Sequence, residues 1–166
     1  MENIINLGIP HVGEQIFEDL NTKDLIQYLK VSQAWKALAE NVLFQRWKGK
    51  LFETCEEGKT EIVRIILERS KNEEVRLMML RKHFHQTALL AACGNGHKDV
   101  VRLLLAHPSS RAIDFNDTGC YLGYSTGTAL ILACKYGHKD IVKLLLNHQN
   151  SQTIDLMQRT LRVILH

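Results

Sequence analysis

The sequence predicts an all-α protein in which a small N-terminal group of three helices packs on a short helical solenoid. Three observations predict this fold class: a twelve-residue segment recurs, each copy follows a short apolar run, and the first fifty residues carry a different helical pattern. Of the 166 residues, 45% are hydrophobic and 23% are charged. This balance is typical of a globular chain and excludes a disordered one.

The strongest signal is the repeat in the C-terminal two-thirds of the chain. Residues 96–107 (GHKDVVRLLLAH) and 137–148 (GHKDIVKLLLNH) are identical at nine of twelve positions. The apolar runs before them, 87–93 and 128–134, share their Thr, Ala, Leu and Cys, and a weaker third copy spans 54–67. Recurrence of this kind indicates a repeat architecture.

Each copy predicts two short antiparallel helices. Gly96 ends the first helix, because glycine adopts the left-handed conformation without a Cβ clash. Asp99 falls in the first turn of the second helix, where the helix dipole favours a carboxylate. Val101, Leu104 and Leu105 then lie on one face. One pair of helices cannot bury that face alone, so the copies are expected to stack.

These segments resemble the ankyrin repeat, whose core reads A-x-x-G-H-x-x-[VI]-V-x-x-L-L, and the match lies at residues 91–97 and 132–138 with the helices that follow. The resemblance covers residues 51–154 and implies a solenoid that binds proteins. The repeat glycines are 38 and 41 residues apart, against a usual period of about 33. The surplus is therefore expected to form loops, near 69–85 and over 116–127.

The N-terminal residues predict three short helices around a small core. Ile16, Phe17 and Leu20 share the face of a first helix, and Asn21 or Thr22 can cap a second one. A third helix is expected to start near Ser32. The apolar side chains of the second and third helices are Leu25, Tyr28, Leu29, Trp35, Leu38 and Ala39.

From Ile16 to Ala39 the spacing resembles the F-box, I-F-x-x-L-x-x-x-D-L-x-x-x-x-x-V-C-x-x-W-x-x-L-A, without a gap and with Ser32 in place of the cysteine. The Leu-Pro pair that opens the motif is absent in register, because Pro10 comes one residue late. The resemblance implies an F-box-like domain over 1–48, which binds a Skp-type adaptor and through it a cullin. The adaptor contacts that it implies are Ile9, Pro10, Ile16, Phe17, Leu20 and Leu25.

The two resemblances together imply a substrate-recognition subunit of an SCF-type ubiquitin ligase, with the ankyrin repeats of 49–166 binding the target protein. The candidate target contacts are Phe84, Tyr121 and Tyr124, since exposed tyrosines are good interface anchors. Two alternatives stay open: a protein-interaction scaffold without a ligase role, and a microbial or viral effector that uses a host ligase. Burial in a small core would equally explain Ile16, Phe17 and Leu20.

No pattern indicates catalysis or a cofactor, so the protein is not expected to be an enzyme. The histidines recur with the repeat, which favours packing and capping over metal binding; they are His97, His138, His107 and His148. Cys55, Cys93 and Cys134 each precede a repeat glycine by three residues, which favours small buried thiols over a disulfide or zinc site. Cys120 has no counterpart in the repeat and is expected to lie in a loop.

Charge and hydropathy favour a protein partner over a nucleic acid or a membrane. The formal charge is only +3, and no apolar stretch approaches the roughly 20 residues of a spanning helix. The first residues include Glu2 and lack the basic start of a secretory signal. The expected location is the cytoplasm, with the nucleus as a second option.

Residues 155–166 are apolar on one side, at Leu156, Leu161, Ile164 and Leu165, which predicts a capping helix or the start of a further repeat.

Overall fold

The computed structural model describes residues 17–31, 33–80, 86–121 and 125–148, and it confirms the all-α fold class. Residues 17–19 are helical and precede nine further helices in these ranges. The helices are α1 (Thr22–Tyr28), α2 (Gln33–Trp47), α3 (Leu51–Glu56), α4 (Thr60–Arg69), α5 (Asn72–Leu80), α6 (Ala88–Gly94), α7 (Lys98–Ala106), α8 (Ala129–Lys135) and α9 (Lys139–Asn147). A 3-10 helix spans Pro108–Ala112, and strands β1 (Gly119–Tyr121) and β2 (Ser125–Gly127) form a small hairpin.

Three helix pairs build the solenoid, α3 with α4, α6 with α7, and α8 with α9. The first helices of the pairs contact one another in one row, and the second helices do so in another. The pairs turn at Gly58, Gly96 and Gly137, whose φ angles of 70°, 78° and 74° lie in the left-handed region. The predicted stack of paired helices is therefore confirmed.

Local chemistry sets the ends of the repeat helices. The hydroxyl oxygens of Thr87 and Thr128 accept hydrogen bonds from the backbone N–H groups of Leu90 and Ile131, at 3.3 and 3.4 Å. Each threonine therefore caps the first helix of its pair. The second helices carry their acidic residue in the first turn, as the sequence predicts.

The first surplus segment differs from the prediction of a loop, because α5 lies within it. Val75 and Met79 are four residues apart and both are buried, so one face of α5 joins the core. The helix packs against α3, α6 and the 3-10 helix. There the hydroxyl of Ser109 donates to the carbonyl of Asn72 at 2.9 Å. The extra residues thus add a helix to the stack instead of leaving it as a plain loop.

The second surplus segment contains the hairpin. Gly119 pairs with Gly127, and Tyr121 pairs with Ser125. Strand β1 contacts α6 and β2 contacts α8, so the hairpin lies along the first helices of two neighbouring repeats. Cys120 lies in β1 and not in the loop expected from the sequence.

The N-terminal helices surround three aromatic rings. The ring centroid of Phe17 lies 5.1 Å from those of both Tyr28 and Trp35, and the last two are 5.6 Å apart. Asn21 caps α1, because its side-chain oxygen accepts from the backbone N–H of Asp24 at 3.0 Å. The predicted group of three helices around a small core is present over residues 17–47.

Candidate protein-binding surfaces

The predicted adaptor contacts fall into three groups in the structure. Phe17 and Leu25 have no exposed surface, and they belong to the core of the N-terminal helices. Leu20 is half-buried and packs against that core. Ile9, Pro10 and Ile16 lie outside the described residues. The burial of Phe17 and Leu25 agrees with the alternative of plain core packing, and adaptor contact through this face stays a prediction.

Arg46 holds the first helical segment against α2. Its guanidinium donates to the backbone carbonyls of Glu18 and Leu20, both at 2.9 Å. These carbonyls lie at the end of a helical segment, where they lack partners within the helix. Leu20 is thus held at a fixed place beside α2. No sequence motif predicts this contact, because 26 residues separate Arg46 from Leu20.

A charged joint connects the N-terminal helices to the first repeat. The carboxylate of Glu40 on α2 accepts hydrogen bonds from Arg64 and Arg69 on α4, at 3.3 and 3.4 Å. The Glu40 side chain is only 15% exposed, so water screens this pair less than a pair on the open surface. Arg64 also pairs with Glu61 and Glu68 on its own helix.

Apolar packing reinforces this joint. Buried side chains of α2, such as Leu43, belong to the same core cluster as Leu51 and Ile62 of the first repeat. The ammonium groups of Lys59 and Lys50 lie 4.0 and 5.5 Å from the ring centroid of Trp47, at the end of α2. Shared core and polar contacts together fix the N-terminal helices on the solenoid.

Two repeat histidines connect neighbouring repeats and confirm the prediction of packing. The Nε2 atom of His97 hydrogen-bonds the carbonyl of Glu56 at 2.9 Å, and that of His138 hydrogen-bonds the carbonyl of Gly94 at 3.1 Å. Each imidazole lies against the glycine of the preceding repeat. A Cβ at Gly58 or Gly96 would meet ring atoms at 2.5 Å. These glycines are therefore required by contact as well as by backbone conformation.

A second pair of histidines, His107 and His148, lies at the C-terminal ends of α7 and α9. The Nε2 atom of His148 hydrogen-bonds the carbonyl of Leu105 at 3.2 Å, and its ring lies 5.3 Å from that of Phe115. His107 hydrogen-bonds the backbone of Leu67, and the partial burial of its ring lowers its pKa. Within the described ranges no three side chains of His, Cys, Asp or Glu form a possible metal site.

The cysteines divide by their position in the stack. Cys55 and Cys93 are buried, and this burial raises the pKa of both thiols. Both therefore act as small apolar side chains, as predicted. Cys134 differs from the prediction, because it is exposed. It occupies the last described repeat, where no following repeat covers it among the described residues.

The predicted target contacts are only partly visible. Tyr121 ends β1, where its backbone pairs with Ser125; Phe84 and Tyr124 lie outside the described residues. Leu77 and Leu80 on α5 are exposed, the first at 58%, and they form a surface that sequence reasoning missed. The helical spacing of the apolar residues in α5 could have predicted this helix, but the segment was expected to be a loop.

A sequence model described as "Ankyrin repeats (3 copies)" matches residues 21–119 and 51–160. The chain belongs to the ankyrin-repeat family. Ankyrin repeats indicate a protein-interaction role and a protein partner. The same comparison detects no F-box domain, and the first match overlaps the N-terminal helices. No curated protein matches the chain. Among the described helices, none is both long and apolar enough to cross a lipid bilayer.

Proposed function

We propose that this ankyrin-repeat protein is the substrate-recognition subunit of an SCF-type ubiquitin ligase. The N-terminal helices bind a Skp-type adaptor, and through it a cullin, while the repeats bind the target protein. The observation that carries the proposal is the fixed joint between the two parts, through Glu40 and the shared core. A rigid connection would hold a bound target at a constant distance from the ligase, which raises the effective concentration of the reacting groups.

The adaptor surface in this proposal centres on Leu20, with Ile9, Pro10 and Ile16 before it. Phe17 and Leu25 support this surface from beneath, because their side chains are buried in the core that fixes Leu20. The support for the adaptor is the F-box-like spacing from Ile16 to Ala39.

The target surface in this proposal lies along the first helices of the repeats. Strand β1, which ends at Tyr121, and helix α5, which carries the exposed Leu77 and Leu80, both contact α6. Phe84 and Tyr124 are the further contacts proposed from the sequence. Tyrosine is among the residue types that supply most of the binding energy in protein interfaces. The proposed location of the protein is the cytoplasm, and the nucleus is the second candidate.

A scaffold without a ligase role is the second candidate, and the burial of Phe17 and Leu25 favours it. In that case the N-terminal helices only cover the first repeat. An effector that borrows a host ligase would use the same surfaces as the ligase subunit.

Co-purification with a Skp-type adaptor separates these candidates. The full chain is expected to retain the adaptor, and Ile16→Asp with Leu20→Asp is expected to abolish retention by placing charge on the contact. Lys23→Asp, an exposed change on α1, is the matched control and should bind normally. If the unchanged chain retains no adaptor while circular dichroism shows it folded, the scaffold function replaces the ligase function.

The proposed target surface is tested by the same co-purification. Tyr121→Ala with Tyr124→Ala is expected to keep the adaptor and lose target proteins captured from cells, because only the repeat surface is changed. Unchanged capture would remove these two tyrosines from the target surface without affecting the adaptor result.

A further inference from the structure

One polar contact of the inserted helix α5 leads to a histidine. The hydroxyl of Ser109 in the 3-10 helix donates to the carbonyl of Asn72, the first residue of α5, at 2.9 Å. The backbone N–H of Ser109 donates in turn to the Nδ1 atom of His107 at 3.1 Å. Ser109 is therefore fixed from two sides, by α5 through its hydroxyl and by His107 through its backbone.

His107 lies where three elements meet. It follows the last residue of α7 and precedes the first residue of the 3-10 helix, and its ring also hydrogen-bonds the backbone of Leu67 in α4. Because Nδ1 accepts a hydrogen bond, the hydrogen of the neutral ring lies on Nε2. The described hydrogen bonds thus form a chain from α4 through His107 and Ser109 to the start of α5.

This chain of hydrogen bonds requires a neutral imidazole. A protonated ring carries hydrogens on both nitrogens, so its Nδ1–H would face the N–H of Ser109 and two donors would meet. Ser109 is only 8% exposed, so water replaces a lost partner poorly. Partial burial of the ring lowers the pKa of His107, which agrees with a site that favours the neutral form.

The carboxylates on the helices around His107 are already engaged with other groups. The contacts are Glu68 with Arg64, Glu40 with Arg69, Glu73 with Arg76, Asp99 with Arg102, and Glu74 with the backbone N–H of Lys71. Arg111 and His148 line the same cavity as His107, and the guanidinium of Arg111 disfavours a second positive charge there. These described neighbours therefore do not favour a proton on His107.

Helix α5 is the element that this chain of hydrogen bonds positions. Two of its nine residues, Val75 and Met79, are buried, whereas all residues of α6, which it contacts, are buried. Leu77 and Leu80 on α5 are exposed. Movement of the first turn of α5 would therefore uncover part of α6 and change the surface that carries these leucines.

We propose that His107 is a pH-sensitive switch for α5, in which the neutral ring fixes the first turn of α5 through Ser109 and the protonated ring releases it. The attached form predominates near neutral pH, and the released form gains population as the pH falls. The switch needs no adaptor and no target protein, so it stands apart from the proposed ligase function.

His148 is the matching residue of the next repeat and provides an internal control. It lies 41 residues later, at the same end of its helix. Its Nε2 atom hydrogen-bonds the carbonyl of Leu105 at 3.2 Å, a contact that joins α9 to α7 and not to α5. Removal of the titrating ring at this position is thus expected to leave α5 unaffected.

Hydrogen exchange of the full chain, measured by mass spectrometry at about pH 7.5 and pH 5 and expressed relative to the intrinsic rates, tests the switch. In the unchanged chain the protection of α5 is expected to fall about five-fold more than that of α7, the effect of one hydrogen bond. In His107→Asn the side-chain oxygen accepts the same N–H without titrating, so α5 should stay equally protected at both pH values. His148→Asn is the matched control and should keep the response of the unchanged chain.

Ser109→Ala tests the second step separately, since it removes the hydroxyl and keeps the N–H that His107 binds. Its α5 is expected to be less protected already at pH 7.5 and to respond less to acid, while slow exchange in α7 reports that the variant is folded. An equal response of α5 in the unchanged chain and in His107→Asn overturns the proposal. Equal loss of protection in α5 and α7 also overturns it, because the effect would then be global. An unaltered response in Ser109→Ala overturns the connection through Ser109.

Discussion

The N-terminal helices and the repeat stack are both helical, but they are held together differently. The N-terminal core is concentrated in three mutually contacting rings, with Phe17 at the centre and fully buried. The described repeats bury aliphatic side chains and a single aromatic ring, Phe115. They add a histidine contact at each junction between repeats. Stability is thus localised in the first region and distributed in the second, where the loss of one contact leaves the others in place.

The largest expected effect is therefore the loss of Phe17. Phe17→Ala removes the ring that contacts both Tyr28 and Trp35, and we expect the free energy of unfolding of the N-terminal helices to fall by about 3–5 kcal/mol. Hydrogen exchange should increase across α1 and α2 and remain slow in α6 and α7, because the core of the repeats does not depend on this ring.

Tyr28→Phe is the matched control, since it keeps the ring and removes only the hydroxyl. Uniformly faster exchange over all three repeats after Phe17→Ala would contradict the comparison. It would mean that the two regions unfold as one cooperative unit across the joint at Glu40.

The next largest loss of stability is expected at the glycines of the repeat turns. Gly96 lies against the His138 ring of the next repeat, whereas Gly137 has no such neighbour among the described residues. Ala at either Gly96 or Gly137 must adopt a positive φ, which costs about 1–2 kcal/mol. At Gly96 the added Cβ would also meet the His138 ring at 2.5 Å, whereas at Gly137 the described residues leave 4 Å clear. We expect Gly96→Ala to cost about 1–3 kcal/mol more than Gly137→Ala, because of this overlap.

Urea denaturation of both variants measures the difference. In a His138→Ala background, Gly96→Ala should cost only the backbone part, since the ring that collides is absent from both proteins compared. Equal destabilisation by Gly96→Ala and Gly137→Ala would show that the backbone conformation alone requires glycine at these turns.

The repeat could be predicted from the sequence because its physics is local and recurs. Thr87 as a helix cap, Gly96 as a turn and the apolar stripe of α7 each depend on neighbours within a few residues. The packing role of His97 followed from recurrence alone. The position of its partner, the carbonyl of Glu56, could not be predicted, because it depends on how two repeats stack.

Three features escaped prediction for reasons that are equally physical. Helix α5 lies in an insertion without a counterpart in the other repeats, so recurrence gave no information about it. The joint between Glu40 and the arginines of α4 joins positions 24 and 29 residues apart. Cys134 was grouped with Cys55 and Cys93 by its sequence, although its exposure depends on being in the last described repeat.

The smallest expected effect is a pH dependence at the junction of the first two repeats. Burial lowers the pKa of His107 below the ordinary value of 6.5. The Nδ1 atom of its ring also accepts from the backbone N–H of Ser109 at 3.1 Å, which a protonated ring cannot do. As the pH falls through 6.5, the His107 side chain therefore binds a proton in the unfolded chain before it does so in the folded chain. The contribution of His107 to stability is therefore present near neutral pH and is lost as the pH falls.

Urea midpoints measured between about pH 7.5 and pH 5 should fall less steeply for His107→Gln than for the unchanged chain, because glutamine does not titrate. Arg111→Gln, an exposed change on the same 3-10 helix, controls for altered charge and should keep the original slope. If His107→Gln also keeps that slope, the pH dependence arises elsewhere in the molecule. In the N-terminal core, by contrast, the contact between Phe17 and Trp35 joins two rings that carry no titratable group, so the protection of α1 against exchange, relative to the intrinsic rate, should not follow the same pH profile.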